Sequence, residues 1–275
     1  MKIITLLEND TCDVALGFAH GLSLYIETPK HKILFDMGPD EQYLANAEKL
    51  GVDLKAVDLA ILSHGHYDHG GGLKAFCQLN DTAKIYLREG AFGEYVAMEE
   101  DDSLRYIGID PMLQEYTDRL VFTGESVRLD EELFLFSDVP DTYGALSASA
   151  RLKERQGENL LQDRFLHEQD LLITAEGKKV LVSGCSHRGI VNILRSARAL
   201  TGGEIDAMSG GFHLFQLEEG DAAADRLIEM IGTALRAGKT DYYTGHCTGD
   251  YAYEKLKTIL GDRLHRVMGG TRLEF

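Results

Sequence analysis

Four residues that could bind metal ions lie close together in the segment from Leu62 to Gly72. They are His64, His66, Asp68 and His69, and three glycines follow them. In an extended segment the side chains at i and i+2 point the same way, so His64 and His66 can hold one ion together. Glycines let the chain turn tightly, which allows Asp68 and His69 to face a second ion. Neutral imidazole with carboxylate suits zinc, and also iron or manganese, so the spacing predicts a site for two divalent metal ions.

The apolar run from Leu59 to Leu62 comes directly before this cluster and predicts a buried strand that ends at the metal site. Without such a strand, four polar residues could simply decorate a surface loop. Apolar runs and turn signals alternate along the chain so that it divides into two similar halves. Strands are predicted at Lys2–Leu7, Gly21–Glu27, His31–Phe35, Asp170–Ala175, Lys178–Ser183, near Ala207 and at Asp241–Thr244, and helices at about 41–50, Ile190–Leu200, Asp221–Arg236 and Tyr251–Leu260. Pairs of strands with flanking helices indicate an α/β protein.

The pattern His-x-His-x-Asp-His after a buried strand resembles the signature of the metallo-β-lactamase superfamily. Two later apolar strands that end in a histidine extend the resemblance: Val180–Asn192, which contains Gly-Cys-Ser-His, and Tyr242–Gly249, which contains His-Cys-Thr-Gly. The residue sequences of these two motifs are similar to those of a narrower branch, the 7,8-dihydropterin-6-yl-methyl-4-(β-D-ribofuranosyl)aminobenzene 5'-phosphate synthase-like proteins. Segments at Ala19–Glu27 and Gly210–Leu214 are similar to the same branch, so the resemblance covers nearly the whole chain. It implies an αββα sandwich with the metal ions at one edge.

The resemblance also implies the ligands residue by residue. The first ion would take His64, His66 and His187, and the second would take Asp68, His69 and His246. Asp36, in Asp-Met-Gly, matches the Asp-x-Gly of the superfamily, where an aspartate near the metals holds a ligand histidine in a fixed tautomer.

One ligand that the resemblance leads us to expect is missing. Most members bridge the two ions with an aspartate at the end of a strand, but here Asp206 lies at the start of the strand near Ala207. Either the second site is weaker and bridged only by solvent, or His213 replaces the carboxylate or contacts substrate. We favour substrate contact for His213. A pair of ions without a bridging carboxylate favours anions, so we expect phosphate to bind the backbone N–H groups of the turn at 210–213.

The cysteines add little to this picture. Cys12, Cys77, Cys185 and Cys247 are spread along the chain without Cys-x-x-Cys pairs, so neither a disulfide framework nor a structural zinc site is expected. Cys185 and Cys247 each adjoin a proposed ligand, and one could be a thiolate near the metals. We favour the alternative that both are small buried residues at strand ends.

Length and charge limit the partners. We expect one domain over residues 1–275, since α/β folds of this length commonly do not split. A formal net charge of −17 argues against nucleic acid, whose binding needs clustered Lys and Arg. No stretch approaches the ~20 apolar residues of a membrane span, and the first residues turn acidic at Glu8, too early for a signal peptide. We therefore expect a cytoplasmic protein with no membrane partner and a small-molecule substrate, while the oligomeric state is left open.

The region at about 88–169 fits the alternation of strands and helices least well, and we expect it to be an insertion on the substrate side. Its acidic run Glu99–Asp102 and its polar stretch Arg151–Glu158 are interpreted as solvated faces. Its last part, Asp163–Gln169, resembles the wording of the same branch, but the sequence indicates no role for it.

Two cations that share a water can lower its pKa from about 15.7 to about 7 and can polarise a substrate oxygen. The sequence therefore predicts a dinuclear metal-dependent hydrolase, in which metal-bound hydroxide attacks an ester, phosphoester or related bond of a small anionic molecule. Asp68 would orient the water and take its proton, while His20 and His213 would meet the leaving group or a substrate phosphate. The alternative is the condensation that the named branch implies, between a dihydropterin and a ribofuranosylaminobenzene phosphate. A remote alternative is a non-hydrolytic metal-binding or diiron redox protein, but the diiron pattern has glutamate at the position of His66.

Overall fold

Two seven-stranded sheets face each other, and helices cover the outer face of each. This is the architecture of a computed structural model, which describes residues 1–115, 118–143 and 149–275. The predicted αββα sandwich is confirmed. None of the helices in the described ranges is both long and apolar enough to cross a membrane.

The strands of the described residues are, in chain order, β1 (Lys2–Leu7), β2 (Ser23–Glu27), β3 (Lys32–Phe35), β4 (Leu59–Ile61), β5 (Lys84–Arg88), β6 (Glu94–Met98), β7 (Leu104–Tyr106), β8 (Leu120–Thr123), β9 (Ser126–Arg128), β10 (Leu133–Phe136), β11 (Leu152–Gln156), β12 (Asn159–Gln162), β13 (Asp170–Ala175), β14 (Lys178–Val182), β15 (Ala207–Ser209), β16 (Asp241–Thr244), β17 (Leu264–Arg266) and β18 (Arg272–Glu274). The helices are α1 (Gln42–Lys49), α2 (Tyr67–Gly70), α3 (Leu73–Leu79), α4 (Ile190–Thr201), α5 (Ala222–Arg236) and α6 (Asp250–Leu260).

The first sheet has the order β18-β1-β2-β3-β4-β5-β8, and the second has the order β17-β16-β15-β14-β13-β10-β9. Strands β3, β4, β5 and β8 run parallel to one another. So do strands β14, β15, β16 and β17 of the second sheet. The loops that follow these parallel strands meet at one edge of the sandwich, which is where residues distant in sequence can form one site.

Apolar side chains fill three layers. One cluster lies between the sheets, one lies under α1 and α3, and one lies under α4, α5 and α6. Helix α5 shows why these residues form a surface helix: Ala224, Ile228, Ile231 and Leu235 are buried at helical spacing. The side chain of Asp221 caps this helix by accepting a hydrogen bond from the N–H of Ala223 at 2.7 Å.

The region expected as an insertion is divided. Its strands β8, β9 and β10 join the two main sheets, whereas β12-β11-β6-β7 form a small separate sheet. The small sheet packs beside the metal-binding motif, where the N–H of Tyr67 donates to the carbonyl of Ile107 at 2.9 Å. Residues 116–117 and 144–148 of this region lie outside the described residues.

Candidate metal centre

The six predicted ligands lie together at the edge where the parallel strands end. Strand β4 leads to the histidine motif, which is extended at His66 and then enters helix α2 with Asp68 and His69. Strand β14 leads to His187, and β16 leads to His246 in a short 3₁₀ turn. All six side chains are buried: His64, His66, Asp68, His69, His187 and His246.

His64, His66 and His187 form the first group of candidate ligands. Their ring centroids are 4.6 Å (His64 to His66), 4.9 Å (His64 to His187) and 4.9 Å (His66 to His187) apart. Burial holds the pKa of His64 and His187 well below 6.5 and lowers that of His66 to about 3, so all three are neutral at pH 7. The Nε2 atoms of these three rings are buried and have no hydrogen-bond partner among the described residues. Three neutral imidazoles with unpartnered nitrogens are the ligand type that a divalent ion requires.

Neighbouring side chains hold these rings in place. Ser63 Oγ donates to Asp36 Oδ2 at 2.7 Å and lies 2.8 Å from His64 Nδ1, so it accepts the proton of that nitrogen. The proton on Nδ1 leaves the lone pair on Nε2 of His64. The ring of His187 stacks on Phe165, with ring centroids 4.3 Å apart and ring planes within 3°.

Asp68, His69 and His246 form the second group. The Nε2 atoms of His69 and His246 are 3.1 Å apart, and Oδ2 of Asp68 lies 3.6 Å and 3.4 Å from them. Nδ1 of His69 donates to Oδ2 of Asp36 at 2.6 Å, which is the contact predicted for Asp36. Nδ1 of His246 donates to Oδ1 of Asn9 at 2.8 Å. Each Nε2 then carries a lone pair, so two lone pairs and a carboxylate oxygen face one another.

Such a group of acceptors requires a positive charge among them. Burial lowers the pKa of His246, but the Cys247 sulfur and the Asp68 carboxylate outweigh it and raise that pKa to about 9. A proton can supply the charge, and a divalent cation supplies it more fully because it takes all the lone pairs at once. The residues therefore fit a metal ion.

The sulfur of Cys185 lies between the two groups. It is 3.1 Å from Nε2 of His69 and within 4.8 Å of ligand atoms of Asp68, His246, His64 and His187. The side chain is buried, and burial raises the pKa of its thiol well above the usual value. The sequence left Cys185 and Cys247 as alternatives for a thiolate near the metals and favoured a packing role for both; the structure places Cys185 between the two groups of candidate ligands.

Two expectations about the missing aspartate can be compared with the structure. Asp206 does lie at the far end of β15, where its exposed carboxylate accepts a hydrogen bond from the N–H of Lys179 at 2.9 Å. The expectation that the turn at 210–213 offers backbone N–H groups to phosphate is wrong for three of its four residues. The N–H groups of that turn already donate to other atoms: Gly210 to the Tyr243 carbonyl at 3.1 Å, Gly211 to the Gly184 carbonyl at 2.7 Å, and Phe212 to Thr248 Oγ1 at 3.0 Å.

His213 and His20 lie on opposite sides of the metal centre. The ring of His213 is 4.1 Å from that of His187, and both of its nitrogens are buried without a geometric hydrogen bond to the described residues, although they lie near the sulfurs of Cys185 and Cys247. Nε2 of His20 lies 3.4 Å from Oδ2 of Asp68, and half of the His20 side chain is exposed. The side-chain amide of Asn9 donates to Nδ1 of His20 at 3.2 Å, which leaves the proton of His20 on Nε2, facing Asp68.

Pockets open beside both groups of candidate ligands. An apolar pocket beside His187 and His213 is lined by Tyr143, Ile190, Phe212, Leu227 and Ile231. A wider and more polar cleft opens at His20 and His246, and its walls include Asp10, Phe215 and Arg266.

The segment Asp163–Gln169, for which sequence analysis indicated no role, contacts the loops of His64 and His187. Nδ1 of His167 accepts the N–H of Gly65 at 2.9 Å, while its Nε2 donates to Asp163 at 3.1 Å. The carboxylate of Glu168 accepts the N–H groups of His187 at 2.6 Å and Arg188 at 2.8 Å. These hydrogen bonds from His167 and Glu168 hold the backbone next to the first group of candidate ligands in place.

Comparison with known proteins agrees with this geometry. The family model of the metallo-beta-lactamase superfamily matches residues 16–105, which include the histidine motif. The 7,8-dihydropterin-6-methyl-4-(beta-D-ribofuranosyl)-aminobenzene-5'-phosphate synthase of Methanocaldococcus jannaschii is 29% identical over 270 residues, which are 93% of this chain and 90% of that protein.

Solved structures show the same fold. The crystal structure of Tm1679, a metal-dependent hydrolase of the beta-lactamase superfamily, has a TM-score of 0.82 and 26% identity, and the match covers 100% of this chain and 99% of that one. Zn(2+)-bound PqqB from Methylobacterium extorquens shares the fold, with a TM-score of 0.60, 11% identity and full coverage of both chains. The motif, the sandwich and the family model thus agree: the chain is similar to the metallo-β-lactamase superfamily in sequence over residues 16–105, and it shares the fold over its whole length.

Proposed function

We propose that the protein is a hydrolase that uses two divalent metal ions to cleave an ester, phosphoester or related bond of a small anionic molecule. His64, His66 and His187 would hold one ion, and Asp68, His69 and His246 would hold the other. Imidazole and carboxylate ligands suit zinc first, with iron or manganese as alternatives.

The observation that carries this proposal is the 3.1 Å separation of the two Nε2 atoms of His69 and His246. Both rings donate their other nitrogen to an oxygen, to Asp36 and to Asn9 respectively. When both rings are neutral, their two facing lone pairs repel each other, and a cation between them turns that repulsion into binding. The similarity to Tm1679, a metal-dependent hydrolase, supports the same reaction class.

Bound divalent ions would activate a water molecule and polarise the substrate oxygen. Side chains of the protein would then accept protons and donate hydrogen bonds during the reaction. Oδ2 of Asp68 faces the same space as the ligand nitrogens and can accept a proton from the attacking water. His20 presents its Nε2–H beside that oxygen at the open cleft, so it can donate a hydrogen bond to a leaving group or a substrate oxygen.

The substrate would be anionic because the six proposed ligands include one carboxylate and five neutral imidazoles. Two divalent ions in such a set keep a net positive charge, which attracts phosphate or carboxylate groups. His213, whose nitrogens have no partner in the described residues, would hydrogen-bond to the substrate beside the apolar pocket.

A second candidate is the condensation of a dihydropterin with a ribofuranosylaminobenzene phosphate. The similarity to the Methanocaldococcus jannaschii synthase over 93% of the chain favours it.

The test combines metal analysis with substrate screening. The purified protein is stripped with a chelator, reloaded with zinc, manganese or ferrous iron, and analysed for ions per chain. Phosphoesters, lactones and thioesters are then assayed, alongside the dihydropterin condensation. We expect two ions per chain and hydrolysis that the chelator abolishes and zinc restores. Two bound ions with condensation alone would select the second candidate, and failure to bind metal would reject both.

A further inference from the structure

Among the described residues, Cys185 is the one side chain that belongs to both groups of candidate ligands. On one side, its sulfur lies within 4.8 Å of ligand atoms of Asp68, His69 and His246. On the other side, it lies within the same distance of ligand atoms of His64 and His187. We propose that the thiolate of Cys185 is a ligand shared by both metal ions, and so supplies the bridging negative charge expected of the missing aspartate. This inference rests on the two-ion site of the proposed function.

The backbone around Cys185 is arranged for close approach. A Cβ on Gly184 would lie 2.2 Å from Oγ of Ser63 and 3.1 Å from Nδ1 of His64. Only glycine therefore lets the end of β14 press against the loop that carries the first two histidines. That approach puts the next residue, Cys185, between the loops that follow β4 and β14.

The surroundings of the sulfur point to a ligand role. The Nε2 atoms of His64 and His187, which lie on one side of it, are buried and find no hydrogen-bond partner in the part of the chain that the structure describes. On its other side, the sulfur is 3.1 Å from Nε2 of His69, which carries a lone pair. A thiol could donate its one proton to His69 or to the sulfur of Cys247, but either contact leaves the nitrogens of His64 and His187 without a partner among the described residues. A shared thiolate with two cations accounts for all of them.

The chemistry is a simple exchange of a proton for metal ions. Thiolate is a strong ligand for zinc, and a coordinated thiol is deprotonated outright, even where burial alone would keep it protonated. The S–H bond breaks, its proton goes to solvent, and two sulfur–metal bonds form. No oxidant or reductant is involved.

Cys247 provides a matched control. It is as buried as Cys185, with 2% of its side chain exposed against 3%, and it lies at the same edge. Its sulfur groups with Cys185 and His213 but with neither of the two main groups of candidate ligands. Serine at either position keeps the side-chain size nearly unchanged, so the two variants differ mainly in which sulfur is lost.

The experiment is ¹¹³Cd NMR of the full chain loaded with cadmium, because a thiolate ligand moves a cadmium resonance strongly downfield from the range of nitrogen and oxygen ligands. We expect two resonances, both in the thiolate range, in the wild type and in Cys247→Ser. In Cys185→Ser both should return to the nitrogen and oxygen range, and the affinity for the second ion should fall by about 10-fold or more.

Three results would overturn the shared thiolate: one shifted resonance, no shifted resonance, or a single bound ion at saturation. Two unshifted resonances would leave the two-ion site of the proposed function intact, whereas absence of bound cadmium would reject that site as well. The wild-type spectrum decides these cases even where Cys185→Ser does not fold. Near-ultraviolet absorption of the cobalt form gives an independent check, since its thiolate charge-transfer band should survive in Cys247→Ser and disappear in Cys185→Ser.

Discussion

Oδ2 of Asp36 accepts a hydrogen bond from Nδ1 of His69 at 2.6 Å, and this contact decides which nitrogen of the ring faces the candidate metal centre. The same carboxylate accepts hydrogen bonds from the N–H and the Oγ of Ser63, both at 2.7 Å. Asp36 is fully buried and thus orients rings of both ligand groups without touching an ion.

Asp36→Asn should therefore weaken metal binding. An amide NH₂ in place of Oδ2 would oppose the donors of His69 and Ser63, so the rings would lose their orientation. We expect the affinity for metal to fall by about 10- to 100-fold, measured by competition with a chelating indicator. The control is Asp206→Asn, since Asp206 is exposed at the far end of β15. Equal affinities for all three proteins would contradict the orienting role.

Replacing histidines should separate ligands from substrate contacts. His66→Ala should remove the first ion and all turnover, because a proposed ligand is lost. His213→Ala should keep nearly normal metal content while raising the KM for substrate. Elemental analysis and steady-state kinetics measure the two effects, with His265→Ala as a control away from the site. If His213→Ala lost as much metal as His66→Ala, His213 would belong among the ligands.

Gly184→Ala tests the close approach of the two ligand loops. Its Cβ would meet Oγ of Ser63 at 2.2 Å, so the loops would have to separate. We expect a loss of about 1–3 kcal/mol in the free energy of unfolding, together with weaker metal binding. Gly203→Ala is the matched control, because its Cβ would come no closer than 3.5 Å to Nζ of Lys179. Denaturant titration of both variants measures the difference, and similar midpoints would argue against the steric requirement.

The pH dependence of stability should include a contribution from His31, which is remote from the ligand loops. Its ring lies between Asp58 at 2.7 Å and Asp130 at 2.6 Å. Burial lowers the pKa of His31, but the hydrogen bonds with Asp130 and Asp58 outweigh it and raise that pKa above 6.5. A folded-state pKa above the unfolded value stabilises the protein at pH below 6.5, and the contribution disappears as pH rises through the folded-state pKa.

His31→Gln should accordingly destabilise the protein more at pH 5.5 than at pH 8.5. Denaturant unfolding of the wild type and the variant at both pH values, with metal at one saturating concentration, gives the difference. His265→Gln serves as the control. A His31→Gln effect that grows with pH would show that the protonated ring is not the stabilising form.

Much of the fold could be predicted because its elements have strong periodicity. Strand β13 was predicted at its observed bounds, Asp170–Ala175, and helix α4 begins at the predicted Ile190. The three-residue strand β18 was not predicted, because it is defined by pairing with β1 from the other end of the chain. Nothing local in a short segment reveals such a distant partner.

The candidate site was predictable where residue type alone indicates chemistry, as for the histidine motif. Contacts between loops could not be predicted from the sequence. Glu168 holds the backbone of His187, and Cys185 reaches both ligand groups, through packing that depends on the approach of two sheets. The turn at 210–213 was misjudged for the same reason, since its N–H groups donate to neighbouring strand ends that sequence does not place.

Each group of candidate ligands takes residues from both sheets: His64 and His66 follow β4, His187 follows β14, and His246 follows β16. Separating the sheets would therefore break up both groups at once. Ions that bind the folded chain and not the unfolded chain increase the free energy of unfolding as the free metal concentration rises. Each bound ion would add about 1.4 kcal/mol to the free energy of unfolding for every tenfold rise in free metal above its dissociation constant. A fold of this kind couples its resistance to unfolding to the metal supply of its surroundings.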